Sequence, residues 1–423
     1  MLLISIALAV TIRALSVARG NGAIDIESVQ MAGDFYRNLT SETAVPRAAR
    51  HERMPGQALL LTVAAVVDPE VRQGLACSLP DRTHCRPELF ASVLVLQVFA
   101  AIAAFVMLLL IALRLSGSWE VALIALALSF IATRAGDFAG LVRPMAWYHF
   151  LLTLYVFLAV LAQRGSPLFA LGAGLALGAS VLFEPASVVL IPITAALFFL
   201  AQRGVAKQRS VQTLRAASFV CGALFGLAGF VAAASLSYDM NAAISHIALH
   251  TAERVAFNSM DAQTWVQSLI VPIPLIGDWF QSLSGLSAVK FGATRPGSIV
   301  FEGRAIVYPM SLANSETALG SVVWIVREKI LGDIAAYATS TPSLICRGLW
   351  AGGGVIALFG VFYVRRMIAY ARADLRIADH LIMLVPIAAL FIVNTLFTSN
   401  AYWLNPILPF IYCYAIAYVA SGF

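Results

Sequence analysis

Apolar runs of roughly 17–25 residues recur along most of this chain, each long enough to cross a ~30 Å hydrocarbon core as an α-helix, and short polar or basic stretches separate them. None of the runs alternates apolar and polar positions with the two-residue period of a transmembrane strand. The pattern predicts an all-α, polytopic integral membrane protein with about ten transmembrane helices. The predicted spans are Met1–Val17, Leu89–Leu113, Glu120–Thr133, Ala146–Ala162, Pro167–Phe183, Ala186–Ala201, Ala216–Leu236, Gly348–Val364, Leu381–Phe397 and Leu404–Val419. Two further apolar stretches, Ala58–Val67 and Ser268–Phe280, are too short to cross and read as amphipathic or re-entrant segments at the interface.

Loop charge gives the spans a direction, because cytoplasmic loops collect Lys and Arg. The connection "RGVAKQRSVQTLR" carries Arg203, Lys207, Arg209 and Arg215 with no acid, and "RRMIAYARADLR" sets Arg365, Arg366, Arg372 and Arg376 against Asp374. Counting spans outward from these two loops puts Arg114 and Arg164 on the cytoplasmic side as well. Ala18–Glu88, Arg134–Met145, Glu184–Pro185, Ser237–Arg347 and Thr398–Trp403 then share the opposite face. The chain reads as one membrane domain, 1–423, with two elaborated outer loops, 18–88 and 237–347. Met1–Val17 reads as an uncleaved anchor, with a cleaved signal peptide or a displaced start as the alternatives.

Composition agrees and narrows the classes. Hydrophobic residues make up 60% of the chain and charged ones 12%, with a mean hydropathy of +0.85; soluble domains run nearer ~45–50% apolar and ~25% charged. The net charge of +6 sits in short loops and reports topology rather than a nucleic-acid surface. Lysine occurs only at Lys207, Lys290 and Lys329, an arginine bias that points to a GC-rich bacterial genome and an inner-membrane location. Cys77 and Cys85 fall in the first outer loop, where an oxidising compartment permits a disulfide. Cys221, Cys346 and Cys413 read as small packing residues in or beside spans.

The polar chemistry gathers on the outer face. The first loop supplies Asp25, Glu27, Asp34, Arg37, His51, Glu52 and Arg53, and the second supplies Arg134, Asp137 and Arg143. Glu184 in "LFEPAS" and His246, His250 and Glu253 follow. Ionisable groups beside hydrocarbon are costly and mark sites or substrate paths. Arginine's planar fork neutralises phosphate oxygens, and a carboxylate holds a divalent cation or takes a proton from an attacking hydroxyl. The mixture suits group transfer from a lipid phosphate. Several of these residues also have structural readings: Asp34 and Glu184 as helix caps, Asp137 as turn chemistry, Arg53 and Arg143 as lipid-headgroup contacts, and His51 as a surface partner of Glu52.

"GDFYRNLTS" (Asp34, Tyr36), followed by "HERMPGQALLLTVAAVV" (His51, Arg53, Pro55, Gly56), resembles the first outer loop of the C-type (GT-C) glycosyltransferases. There an acidic motif after the first span precedes a Pro-Gly or Pro-Pro turn and an apolar helix. Leu171–Leu200 resembles the paired mid-chain spans of that superfamily, and "SNAYWLNPILPFIYCYAIAYV" its closing segment. The chain departs from the common pattern in having Asp34-Phe35 for Asp-Glu, Glu184 for a basic residue and Tyr402-Trp403 for Arg-Tyr. The resemblance implies inverting transfer of a sugar from a polyprenyl-phosphate donor to an acceptor at the outer face of the inner membrane. It assigns Asp34 as general base or ligand of a divalent cation (Mg or Mn), with Asp137 as a second carboxylate by position. Arg53 and Arg143 would grip the donor phosphate, His51 would orient it or relay a proton, and Tyr36 and Glu184 would contact substrate. A lipid-linked glycan transporter and a catalytically silent GT-C-like subunit are the competing readings.

Overall fold

The computed structural model describes residues 2–19, 24–40, 54–77, 85–132, 138–163, 165–200, 206–236, 238–239, 244, 247, 251, 254–255, 279, 291–295, 298–301, 304–307, 318–351 and 377–397. They belong to two compact units. One is Met1–Met240 with Tyr363–Leu390 and Pro406–Phe423; the other is Asn241–Phe362 with Phe391–Asn405.

In the first unit every apolar run predicted before residue 236 is helical. The chain order is α1 (Leu2–Arg19), α2 (Ile26–Thr40), α3 (Gly56–Val67), α4 (Pro69–Gly74), α5 (Ala91–Ser116), α6 (Trp119–Ala132), α7 (Met145–Ala162), α8 (Pro167–Val181), α9 (Leu190–Leu200) and α10 (Ala206–Ser235). Short 3-10 turns, Pro87–Phe90 and Pro185–Val189, lead into α5 and α9. Among the described residues three helices are long and apolar enough to cross a membrane: Pro87–Arg114, Met145–Ala162 and Ser210–Ser235. Ile4–Val17, Pro167–Val181, Pro185–Phe199 and Leu381–Asn394 are shorter apolar helices. Ala58–Val67 is helical too, as part of α3. Residues 352–364 and 404–419, which cover most of two predicted spans, lie outside the described residues.

The tightest packing in this unit is the seam between α8 and α10. A Cβ placed on Gly174 would stand 1.9 Å from the Phe219 carbonyl oxygen, and one on Gly178 would stand 2.2 Å from that of Ala223. From the other side, Gly222 would meet Leu171 O at 2.0 Å and Gly226 would meet Leu175 O at 2.5 Å. The two helices therefore touch backbone to backbone through a small-xxx-small pair on each. Lipid tails are as apolar as leucine, so helices in hydrocarbon associate by this kind of close fit rather than by a hydrophobic force. Between α5 and α6 the chain turns at Gly117, whose φ of 69° is the left-handed conformation that closes helices.

The second unit adds a short sheet to an otherwise helical chain among the described residues. Phe291–Arg295 (β1), Ser298–Phe301 (β2) and Arg304–Val307 (β3) form a three-stranded antiparallel meander, with Phe291 opposite Phe301 and Ser298 opposite Val307. It is followed by α11 (Ala318–Trp324), a π-helical turn (Ile325–Leu331) and α12 (Ile334–Ala351). Arg254, fully buried, clamps α12: it donates to Ser340 Oγ (3.1 Å), Thr341 Oγ1 (2.8 Å) and Tyr337 O (3.1 Å), with its guanidinium 4.1 Å from the Tyr337 ring centre. Burial lowers the Arg254 pKa to about 10. The last described helix is α13 (Ile377–Phe397).

Candidate functional site

The first loop is built from α2, α3 and α4, and it holds together three other connections of the first unit. At the start of α2, the Asp25 N–H donates to Val142 O (3.0 Å), while Asp25 Oδ2 accepts from Ser28 Oγ (2.8 Å) and its carbonyl from Val29 N–H (3.1 Å). Gln97 of α5 fixes the same 138–144 segment by donating to Leu141 O (2.9 Å). Toward the end of α2, Asn38 donates to Leu236 O (3.0 Å), and the Phe35 ring meets Tyr238 edge-on at 6.5 Å. Burial, and then the charge of Asp239, push the Tyr238 phenol above its ordinary pKa. At the start of α3 the Gly56 N–H donates to Leu182 O (2.9 Å). A side chain at Gly56 would strike that same carbonyl at 2.8 Å, so the backbone approach needs glycine.

The first loop thus reaches Val142, Leu182 and Leu236, each within or directly beside a connection that loop charge assigns to the same face. Elsewhere Arg215 donates to Gln163 O (2.8 Å) and Gly165 O (3.0 Å), drawing the basic connection after α7 onto the N-terminal half of α10.

Asp34 lies inside α2, which starts at Ile26, so it is not the cap of a helix beginning at Phe35. Its carboxylate pairs with Arg37 one turn on; the two side chains are 28% and 59% exposed, so the pair faces outward from the docked surface. Arg143 is exposed and follows Val142 at the opposite end of α2. Nine residues of helix, ~13 Å of axial rise, separate Asp25 from Asp34. The carboxylate beside the Val142–Arg143 backbone is therefore Asp25, and Asp34 pairs with Arg37. Tyr36, predicted to contact substrate, lies under the Arg72 guanidinium at 5.4 Å, and Arg72 in turn donates to Ala65 O (3.2 Å) at the end of α3. That contact fastens α2 to the α3–α4 corner.

Glu184 is 3% exposed. Its Oε1 accepts from Ala186 N–H (3.3 Å), capping the Pro185–Val189 turn, and its charge acts on Tyr148, whose hydroxyl accepts from Ser187 Oγ (3.1 Å). The cap is what aspartate or glutamate does at a helix entrance; the depth of burial is unusual for a carboxylate.

A residue the sequence reading passed over stands nearby. Gln57, second in α3, is 1% exposed, and neither atom of its amide meets a hydrogen-bond partner among the described residues. Its signal in the sequence is a lone polar side chain in the apolar "GQALLLTVAAVV", directly after the Pro-Gly turn.

Cys77 and Cys85 form a disulfide with Cα atoms 4.7 Å apart, closing the loop that follows α4. Cys221, expected to pack, is instead exposed on α10. His51, Arg53 and Asp137 lie outside the described residues, as do His246, His250 and Glu253. Among the described residues no three His, Cys, Asp or Glu side chains converge as metal ligands.

No protein-family model matches the chain, and no curated protein matches it. The fold is similar to the oligosaccharyltransferase of Archaeoglobus fulgidus, solved in the apo form, with a TM-score of 0.49 and 13% identity over 98% of this chain and 50% of that one. The chain spans about half the length of that protein, and a likeness at this level carries no functional weight.

Proposed function

We propose that this chain is a GT-C-type membrane glycosyltransferase that moves a sugar from a polyprenyl-phosphate donor to an acceptor at the outer face of a bacterial inner membrane. The sequence supports it through the acidic first loop, the Pro-Gly turn and the apolar helix that follow an N-terminal anchor. The observation that carries the reading is that the helix bearing Asp34 is docked at both ends, through Asp25 on Val142 and Asn38 on Leu236, while the Asp34–Arg37 pair faces outward. A carboxylate on a braced helix at the meeting point of several loops is held well enough to act on a bound substrate.

In the proposed reaction an acceptor hydroxyl attacks the anomeric carbon from the face opposite the phosphate. The new C–O bond forms as the bond to the phosphate oxygen breaks, the electron pair leaves with the polyprenyl phosphate, and the hydroxyl proton passes to Asp34. In the alternative role Asp34 would instead be one of the residues to hold a divalent cation, Mg or Mn, which would stabilise the departing phosphate. Arg37 positions the Asp34 carboxylate by charge-assisted hydrogen bonding.

Asp34→Asn, assayed for sugar transfer in membranes, is expected to lose about 10²–10⁴-fold, the range of a general base. Full retained transfer would remove Asp34 from the mechanism and with it this reading of the first loop. Arg37→Gln is expected to lose less, with the thermal midpoint unchanged because the pair lies at the surface.

A further inference from the structure

The far end of α7 carries a second polar junction, away from the loop cluster. α7 stops at Ala162 and α8 begins at Pro167. Arg215, the last residue before the apolar run of α10, ties this turn down by donating to Gln163 O (2.8 Å) and Gly165 O (3.0 Å). Both of those bonds come from the terminal guanidinium nitrogens. The junction still holds two donors with no acceptor among the described residues: Arg215 Nε, and the Nε2 of Gln163, a residue 5% exposed. Buried donors are nearly always paired, and these two belong to residues already bonded to each other. What the junction lacks is an acceptor.

Charge supplies a second, independent observation. Between Glu184 and Asp239 the chain has no Asp or Glu but four cations, Arg203, Lys207, Arg209 and Arg215. α10 starts at Ala206, ahead of its apolar run, with Lys207 and Arg209 in its first turn. The ten residues 206–215 rise ~15 Å, enough to cross the ~5–8 Å headgroup layer on one side of a bilayer. Val211 and Leu214, on the same stretch, are apolar and exposed.

We propose that the α7–α8 turn and the first ten residues of α10 bind an anionic phospholipid of the leaflet that loop charge makes cytoplasmic, its phosphate on the Gln163–Arg215 donors and its headgroup toward Lys207 and Arg209. Three features select that ligand. Water alone would leave the surplus positive charge unanswered, whereas a phosphate oxygen accepts from both orphan donors and carries the opposite charge. Exposed Val211 and Leu214 beside the donors favour a ligand that brings hydrocarbon with its charge, which a free anion does not. A run of cations next to a membrane helix attracts anionic headgroups, by about fivefold per cation. Of the Gln163 amide the nitrogen alone is both sealed and unpartnered; a half-turn of the amide exchanges its two ends and turns the NH2 outward with no change of backbone.

The test uses the full chain in detergent, with bound lipid followed by native mass spectrometry. Phosphatidylglycerol is the anionic probe, and phosphatidylcholine, which has the same phosphate but no net charge, is the reference. Wild type is expected to prefer phosphatidylglycerol by about tenfold or more. Lys207→Gln combined with Arg209→Gln is expected to remove most of that preference. Gln163→Leu keeps every charge and the carbonyl that Arg215 holds; it is expected to weaken both lipids, by about tenfold, the loss of one hydrogen bond to a charged group. Arg365→Gln with Arg366→Gln, in the other basic loop, is expected to change neither value. Equal losses in the two double variants overturn the proposal, since loop charge in general would then attract the lipid. Equal binding of the two lipids to the wild type overturns it as well, as does wild-type affinity in Gln163→Leu. Displacement of phosphatidylglycerol by millimolar inorganic phosphate overturns it too, by making this a free-anion site. If the Lys207/Arg209 variant does not fold, Gln163→Leu and the lipid comparison on the wild type decide. Sugar transfer does not enter the readout, so failure here leaves the glycosyltransferase reading untouched.

Discussion

The α8–α10 seam and the loop cluster at the end of the same unit are held together in opposite ways. In the seam two backbones approach until only glycine fits, at Gly174 and Gly178 on one helix and Gly222 and Gly226 on the other. The loop cluster is tied to its neighbours by separate hydrogen bonds, from Asp25 to Val142, Gly56 to Leu182, Asn38 to Leu236 and Ser92 to Asp68, with the Phe35–Tyr238 ring contact beside them. Shape complementarity over many atoms gives rigidity and no chemistry, whereas isolated polar contacts leave side chains such as Asp34 and Gln57 to other uses. The difference suits one region to stability and, on the proposed reading, leaves the other for function.

The largest expected effect comes from breaking the seam. Gly178→Ala would drive a methyl to 2.2 Å from a backbone oxygen, which cannot rotate away. Overpacking of this kind costs about 3 kcal/mol or more, and the variant should lose folded yield and melt well below the wild type in detergent. Gly172→Ala on the same helix is the control, since its new Cβ meets only Leu158 Cδ1 at 3.1 Å. It should be neutral or slightly stabilising, by up to about 1 kcal/mol from helix propensity. Equal melting of the two variants would show that the seam is not what holds these helices.

Next in size is the covalent tie in the first loop. Cys77→Ser opens a short ring, and the chain-entropy estimate for its closure is about 2–3 kcal/mol. The loss should be local to the first loop: protease sensitivity between α4 and α5 should rise while the midpoint of the bundle moves little. A global drop in melting temperature equal to that of Gly178→Ala would erase the distinction between the regions.

Gln57 sharpens the comparison from the other direction. A buried amide without partners costs roughly 1–3 kcal/mol, so Gln57→Leu should raise the melting temperature of the substrate-free protein. Sugar transfer should fall if the amide meets a substrate hydroxyl. A lower melting temperature would mean that the amide is satisfied by residues beyond those described, and Gln57 would then belong to the scaffold.

These regions were unequally legible in the sequence. Each predicted apolar run before residue 236 falls within a helix of the first unit or differs from it by a few residues, because in hydrocarbon the backbone must satisfy itself. The polar helix α2 and the short α4 carry no such signal, and α10 begins ten residues ahead of its apolar run. Basic-loop counting places Asp25, Gly56, Glu184 and Tyr238 on a common face, and the hydrogen bonds of the first loop join those same segments. The glycine pairs "GLALG" and "GALFG" carry the seam signal plainly, yet they read as ordinary apolar composition until both helices are seen together. The meander was also missed. Its strands are four or five residues long, and the Pro-Gly and Glu-Gly pairs between them in the sequence are hairpin signals hidden in a long polar loop. Asp34 reads locally as a helix cap. Its actual partner, Arg37, follows from the helix period alone once the helix is known to start at Ile26.

The smallest effect concerns Asp68, where the loop cluster is tied to the bundle. Its Oδ1 caps α4 by accepting from Glu70 N–H (2.9 Å), and its Oδ2 accepts from Ser92 Oγ at the start of α5. The Ser92 hydroxyl, with the backbone donors behind it, holds the carboxyl below its ordinary pKa against the opposing effect of burial. A carboxyl depressed in the folded state adds stability that is complete above its unfolded pKa and disappears as pH falls through the folded one. Ser92→Ala should therefore lower the stability of the first loop at neutral pH and flatten its loss in acid, so that variant and wild type converge as pH falls through the folded-state pKa. Proteolysis of the first loop across pH 3–6 reads this directly. An identical acid profile in wild type and Ser92→Ala would show that the α4–α5 junction does not depend on this carboxylate, leaving Asp25, Gly56 and Asn38 as the contacts that hold the cluster to the helices.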